Sequence, residues 1–327
     1  MRIVTMYSFG QPTPQHLARL RALAPGLEIV PVTNEKQALD AVGPAEVILG
    51  HRYLRQSLGR AKLLKWVQSS AGSVDRLPIM DLARRGILLT RSTVDSREVA
   101  AHAIALAWSL TRALPQALMQ QMKEKWDQQL PFAPMPKKAI VIGYGAVGEA
   151  IAERLRAQDI RVICSKRGTD RPDPPTPCEQ ILFDEQWLNY LAEVDWCFLA
   201  LQHTPQTTRI FDEAALLSLP ARAILVNVGR GQTLDTAALV NVLQEGHLAG
   251  VALDVTEPSP LPAGHPLWRA PRLLITPHVA SHHPGRGERI ERYIEQQVSN
   301  FLAGEALRDV VDMEAMIAES QVLDNGI

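Results

Sequence analysis

The stretch KKAIVIGYGAVGEAIAERL, residues 137–155, constrains this chain more than any other. Ala139–Ile142 is a short apolar run suited to a buried strand. Gly143, Gly145 and Gly148 follow in G-x-G-x-x-G spacing, and Val147, Ile151 and Leu155 then recur at helical period. Glycine spacing alone is a weak signal. Set between a strand and a helix, it describes a tight turn, a backbone that a pyrophosphate can approach, and a helix N-terminus facing that charge. The expectation is a dinucleotide-binding βαβ unit whose turn is lined by Gly143, Tyr144, Gly145, Ala146, Val147 and Gly148.

The rest of the chain agrees with that unit. DWCFLAL, AILVNV, GVALD and LLIT are near-continuous apolar runs, as expected of parallel strands covered on both faces. The first hundred residues alternate strand candidates (Ile3–Tyr7, Leu27–Val32, Val47–Leu49, Ile87–Thr90) with helical patterns, which implies a second parallel sheet. Thr13-Pro14 opens one of those helices as cap and first-turn proline, with Leu17, Leu20 and Leu23 on one face. From Glu98 the run VAAHAIALAWSLTRAL is apolar nearly all round and predicts a buried connecting helix, ended or kinked by Pro115. A last helix, from about Glu288 to Leu302, places Ile290, Ile294, Val298 and Phe301 along one stripe and is expected to return to the first domain. The proline-rich RPDPPTP at 171–177 reads as a loop within the second domain. A length of 327 residues is comfortable for two domains.

The strand after the glycine turn ends RVICSKRG. A carboxylate at its end would hold adenosine ribose hydroxyls and repel a 2′-phosphate. Ser165, Lys166 and Arg167 stand there instead, a hydroxyl and two cations, so NADP is favoured over NAD. Lys and Arg number 34 against 35 Asp and Glu, a balance that argues against nucleic acid or an anionic membrane as partner. No apolar stretch approaches the roughly 20 residues of a membrane helix, and the N-terminus lacks a signal-peptide pattern. Cys164, Cys178 and Cys197 read as neither a disulfide framework nor a paired metal motif, which implies a reduced, cytoplasmic protein. In HVASHH, His278 and His282 are four apart, but the flanking prolines and missing helix signal argue against a metal.

Three polar residues fall at equivalent places. Arg230 follows AILVNV, Asp254 ends GVALD, and His278 follows LLIT, all at the carboxyl ends of predicted parallel strands, where doubly wound sheets bind ligands. An alkoxide forming in a transition state needs a cation and a proton donor, and Arg230 with His278 can supply both.

With WVQSSAGSVDRL (66–77), GYGAVG (143–148), NVGRG (227–231), LDVTEPSPLPAGHPLW (253–268), TPHVA (276–280) and FLAGEALRDVVD (301–312), the chain resembles the D-isomer-specific 2-hydroxyacid dehydrogenases of the glyoxylate and hydroxypyruvate reductase type. The resemblance runs nearly end to end. It implies an α/β fold of two doubly wound domains: a Rossmann NAD(P)-binding domain, residues 99–281, inserted into a flavodoxin-like substrate domain, residues 1–98 and 282–327. It implies a homodimer joined through the connecting helices and a small 2-oxoacid or 2-hydroxyacid as substrate. It assigns Arg230 to the substrate's carboxylate and carbonyl, His278 to general acid catalysis, and backbone N–H groups around Gly72 and Ser73 to the carboxylate. Val228 and Asp254 fall among the cofactor contacts, Asp254 on the nicotinamide side.

The family's acid partner of the histidine lies five residues beyond Asp254, and here that residue is Ser259. Glu257 is two residues earlier, displaced by roughly 6–7 Å in an extended segment, too far to substitute without a shift. Ala101 stands where relatives often have Glu, and Ser73 where they usually have Gly. Reduced activity, or a non-catalytic NAD(P)-binding regulator that keeps the fold, is the alternative that Ser259 raises. A formate-oxidising branch also tolerates a neutral residue at that position, but a glutamine, which spans a gap that serine cannot.

Overall fold

The computed structural model describes residues 1–168 and 175–317; most of the RPDPPTP stretch lies outside them. The chain divides into two compact units, one formed by Met1–Asp95 with the segment from His283 onward, the other by Ser96–His282.

The first unit is built on five parallel strands: β1 (Arg2–Met6), β2 (Glu28–Pro31), β3 (Val47–Gly50), β4 (Trp66–Gln68) and β5 (Leu88–Thr90). Their order is β2-β1-β3-β4-β5, the flavodoxin-like arrangement. Successive residues alternate between two cores because side chains along a strand point to opposite faces. Val4, Ile48, Val67 and Leu89 enter one core, and Ile3, Val47, Leu49 and Trp66 the other. The second core is closed by the helix Arg286–Ala303, through Ile290, Ile294 and Val298, with Phe301 stacked 4.9 Å from Trp66. The last helix thus returns to the first sheet.

Polar pins fix it there. Trp66 Nε1 donates to Thr90 Oγ1 (2.8 Å), Thr90 donates to Gln68 Oε1 (2.8 Å), and Gln297 Nε2 reaches the same oxygen at 3.3 Å. Thr13 caps the helix Pro14–Ala22 by accepting from His16 N, and gives its own N–H and hydroxyl to Glu291. His16 Nδ1 donates to Glu295 (2.6 Å), and its Nε2 lies 2.7 Å from the hydroxyl of the buried Tyr7, whose pKa burial pushes well up. The strand Trp66–Gln68 has no counterpart among the strands predicted from sequence. Three residues are too few to show a period.

The second unit carries seven parallel strands: β6 (Lys138–Ile142), β7 (Arg161–Lys166), β8 (Gln180–Phe183), β9 (Trp196–Leu199), β10 (Ile224–Asn227), β11 (Gly250–Leu253) and β12 (Leu273–Ile275). The order β12-β11-β10-β9-β6-β7-β8 is a Rossmann sheet, with the chain reversing direction across the sheet on either side of β6. On one face the helices Ser96–Thr111 and Ala146–Arg156 pack through small residues, Ala100, Ala103 and Ala107 with Ala150, above Val141, Cys164 and Val226. On the other, Trp187 stacks on Phe211 over Ile140, Cys197 and Leu225.

Pro115 does more than end a helix. The chain breaks at Ala113, held at φ +52°, and Pro115 then sits in the first turn of a second helix, Leu114–Met122. No residue of that helix is buried. Cys164 and Cys178, expected to be unpaired, form a disulfide, while Cys197 is free and buried. Their spacing of 14 residues shows no motif, and only the pairing of β7 beside β8 brings them together. Among the described residues no helix is long and apolar enough to cross a membrane.

Candidate active site

The glycine turn joins β6 to the helix Ala146–Arg156 as its spacing implies. Gly143 takes φ +104°, and a Cβ there would lie 2.7 Å from Ala200 O; a Cβ at Gly148 would meet Gly143 O at 2.1 Å. Both glycines are therefore required by close backbone approach. A Cβ at Gly145 would meet nothing within 4 Å, so its side of the turn is open to a ligand. The helix begins there without a side-chain cap, leaving the first-turn N–H groups of Ala146, Val147 and Gly148 facing that side. These features fit a dinucleotide pyrophosphate. Tyr144 is 8% exposed, and burial pushes its hydroxyl up to about 12, so it stays neutral in the turn.

Ser165 O accepts from both Gly143 N (3.0 Å) and Tyr144 N (2.8 Å), which ties the end of β7 to the glycine turn. Ser165 Oγ lies 3.5 Å from Asp184 O, Gly168 N donates to Asp184 Oδ1 at 3.4 Å, and Arg167 Nη2 to Thr204 Oγ1 at 3.3 Å. Asp184 is a carboxylate beside this edge that sequence reading missed, because it follows β8 and not the strand that carries Ser165.

Arg230 is fixed from both sides. A Cβ at Gly229 would lie 2.5 Å from Leu201 O, and one at Gly231 2.2 Å from Thr256 C and O. The loop after β10 is thus wedged between the backbones that follow β9 and β11. Asn227 straps it, accepting from Gly229 N (3.0 Å) and donating to Arg230 O (3.0 Å). The same oxygen accepts from Thr233 Oγ1 at 2.7 Å, and Arg230 Nη1 donates to Gly229 O at 2.7 Å. Val228, in this loop, is buried.

Asp254 is 2% exposed, and its carboxylate is engaged by the turn that carries His278. Oδ1 accepts from Thr276 Oγ1 (2.6 Å) and Val279 N (2.9 Å), and Oδ2 from Ala280 N (3.0 Å). His278 N donates to Asp254 O at 2.9 Å, and His278 itself is exposed at φ +56°. A left-handed residue with a side chain persists only where its surroundings hold it. Asp254 is that support. Behind it, His102 Nε2 lies 3.0 Å from Thr276 Oγ1. Because the threonine proton is given to Asp254, His102 donates.

Ser259 and Glu257 are exposed. Glu257 accepts from Gln232 Nε2, and its carbonyl from Thr236 Oγ1 (3.2 Å). Ala101 is exposed on its helix.

In the first unit, Gly72 and Ser73 lie on the turn after β4. A Cβ at Gly72 would come 3.0 Å from Ser92 O, and Ser92 N donates to Ala71 O at 3.1 Å. Ser73 lies outside the left-handed region, so serine is accommodated where glycine is usual, and its hydroxyl donates to Asp75. Ser69 Oγ accepts from Ala71 N (3.2 Å) and lies 3.1 Å from His51 Nδ1; burial lowers the pKa of His51. His51, Ser69, His102, Asn227 and Thr276 carry no local signal of these roles.

The family model for the NAD binding domain of D-isomer specific 2-hydroxyacid dehydrogenases matches residues 104–280. A glyoxylate reductase of Thermofilum pendens is 29% identical, over 77% of this chain and 76% of that protein. A 2-hydroxyacid dehydrogenase of Xanthobacter autotrophicus, solved with NADPH and MES, superposes with a TM-score of 0.78 at 25% identity, covering 96% of this chain and 99% of that one. An NADPH-dependent glyoxylate/hydroxypyruvate reductase of Sinorhizobium meliloti, solved with NADP and malonate, gives 0.76 at 25% identity, over 95% and 97%.

Proposed function

Because the chain belongs to the D-isomer specific 2-hydroxyacid dehydrogenase family, we propose that it reduces small 2-oxoacids of the glyoxylate and hydroxypyruvate kind to D-2-hydroxyacids, with NADPH as donor. The bound nicotinamide supplies the hydride that adds to the keto carbon. Arg230 binds the substrate's carboxylate and polarises its carbonyl, and the cation gains most as negative charge collects on the oxygen. His278 delivers the proton that turns this oxygen into a hydroxyl. Gly72 and Ser73 offer backbone N–H groups to the carboxylate.

The observation that carries the reading is a shared edge. Arg230, Asp254 and His278 lie within three residues of the carboxyl ends of β10, β11 and β12, three adjacent strands, and each loop is fixed by backbone contacts of its own. Ser165, Lys166 and Arg167 support NADPH over NADH, since two cations suit a 2′-phosphate. The Asp184 carboxylate, the acid near them, is engaged by Gly168 N. A homodimer is part of the proposal. Leu114, Leu118, Met119 and Met122 are all more than half exposed along one short helix, and Trp126 is 93% exposed just beyond it. A row of this kind is usually covered by a partner.

NADPH and NADH oxidation, followed by absorbance with a panel of 2-oxoacids, tests the function. Turnover of glyoxylate or hydroxypyruvate is expected, with Arg230→Ala both raising KM and lowering kcat. Activity unchanged by Arg230→Ala removes that assignment. Cofactor binding without turnover of any 2-oxoacid favours the regulator reading. Ser259→Glu restores the family's acid. A carboxylate beside an imidazolium favours its protonated form, so the falling limb of the rate–pH profile is expected to move up by about one unit. Superimposable profiles would mean that Ser259 does not face His278. Light scattering reads the oligomeric state, and a monomer rejects the dimer.

A further inference from the structure

The Cys164–Cys178 disulfide stands at the root of the segment that carries Ser165, Lys166 and Arg167. Cys164 is the residue before Ser165 on β7, and Cys178 lies two residues before β8. The two strands pair in parallel, Cys164 with Ile181, Ser165 with Leu182 and Lys166 with Phe183. The bond holds the two ends of the connection between β7 and β8 at a Cα separation of 6.0 Å. Three of the polar contacts on this edge are long, 3.5 Å from Ser165 Oγ, 3.4 Å from Gly168 N and 3.3 Å from Arg167 Nη2, and contacts of that length restrain weakly. A covalent tie one residue from Ser165 restrains strongly, and Ser165 O in turn holds Gly143 and Tyr144 of the pyrophosphate turn.

We propose that the Cys164–Cys178 disulfide positions the adenosine end of the nicotinamide cofactor, and that a dithiol reductant, by opening it, weakens cofactor binding while leaving hydride transfer unchanged. The proposal rests on the reading of Ser165–Arg167 as the cofactor's adenosine site. Cys178 is 8% exposed and Cys164 fully buried, so the attacking thiolate reaches Cys178. A mixed disulfide forms there as the Cys164–Cys178 bond breaks, and Cys164 leaves as a thiolate and takes a proton. The reductant's second thiol then displaces Cys178, giving two protein thiols and one oxidised dithiol, a two-electron exchange. Cys197 takes no part. It is wholly buried on β9, where burial pushes its thiol up and away from the reactive thiolate.

Intact protein purified without reductant is denatured and alkylated. One reactive thiol, that of Cys197, is expected before dithiothreitol treatment and three after. Kinetics on the native enzyme then compare the oxidised and reduced forms. Loss of preorganisation should raise the KM for NADPH by about three- to tenfold, with kcat at saturating cofactor changed by less than about twofold. Cys178→Ser should show the reduced values with or without dithiothreitol, and Cys197→Ser should respond like the natural chain. Fluorescence titration of NADPH reads the same change without turnover. Three free thiols in the untreated protein, or an NADPH affinity indifferent to reduction, overturns the proposal. If the oxidised protein prefers NADH, the NADPH reading fails, and the change in affinity for NADH on reduction decides the inference on its own.

Discussion

Gly231→Ala tests whether the wedge at Arg230 matters. The new Cβ would lie 2.2 Å from Thr256 C and O and 2.7 Å from Glu257 N, all backbone atoms that cannot rotate away. Ordinary contact begins near 3.4 Å, so the loops after β10 and β11 must part by about 1 Å, a strain on the order of 1–3 kcal/mol. Arg230 is the adjacent residue, and its carbonyl, anchored by Asn227 at 3.0 Å and Thr233 at 2.7 Å, moves with it. A displacement of about 1 Å in a group that must meet the developing alkoxide costs about 100-fold in rate, or about 2.7 kcal/mol of transition-state stabilisation. The assay is kcat/KM for glyoxylate with saturating NADPH, beside a cofactor titration and a thermal melt. The expected result is kcat/KM down about 100-fold and Tm down by about 3–10 °C, with a smaller loss of cofactor affinity, because the glycine turn after β6 is untouched while Val228 lies on the displaced loop. Gly287→Ala is the control, since a Cβ there meets nothing within 4 Å. A variant with natural kcat/KM and natural Tm refutes the wedge. A lowered Tm with natural kcat/KM spares the wedge and refutes the role of Arg230.

Asp254→Asn replaces one oxygen that accepts a backbone N–H by an amide that cannot. Hydrogen bonds to a charged group are worth about 1.5–3 kcal/mol each, so the His278 turn should loosen and kcat fall at least about tenfold. Hydrogen exchange at the Val279 and Ala280 amides is the direct check, and unchanged protection there contradicts the assignment. His102→Gln, which keeps a donor for Thr276, should be far milder than His102→Ala. His51 gives a pH dependence of stability. Burial lowers its pKa, so below about pH 6.5 the unfolded chain binds the proton more readily than the folded one, and stability falls with pH through that window. Above it both states are neutral and the group contributes nothing. His51→Gln should therefore lose less stability than the natural chain when denaturation is repeated from about pH 7.5 down to pH 5; equal losses would place the acid sensitivity elsewhere.

Most of the fold was legible because its strands are buried on both faces. Ala139–Ile142, the AILVNV strand and GVALD are apolar without interruption, and no helix of that length fits between their flanking turns. Thr13-Pro14 marks a helix start through a rule that acts within four residues, and Thr13 does cap that helix. The misses have a common cause. Trp66–Gln68 and Gln180–Phe183 are too short or too polar to show a period, and their pairing with β3 and β7 makes them strands. Pro115 breaks one helix and starts the next, and the break itself depends on Ala113 at φ +52°, which nothing in the local sequence marks.

The candidate site divides along the same line. Position at a strand's carboxyl end is written in the sequence, because a run of apolar residues followed by Arg230, Asp254 or His278 locates each of them. What each side chain faces is written elsewhere. Asp254 falls among the cofactor contacts by resemblance, yet its two oxygens take hydrogen bonds from Thr276, Val279 and Ala280, 22 to 26 residues later in the chain. Those donors arrive only because β11 and β12 are neighbours in register, Leu253 beside Ile275. Gly229 and Gly231 are similar: the glycines are visible, but the backbone atoms that forbid any other residue belong to Leu201 and Thr256 on the flanking loops. A residue's identity and its place on the sheet therefore set which chemistry is available. The strand neighbours that hold it decide whether a histidine or an arginine is fixed well enough to use that chemistry.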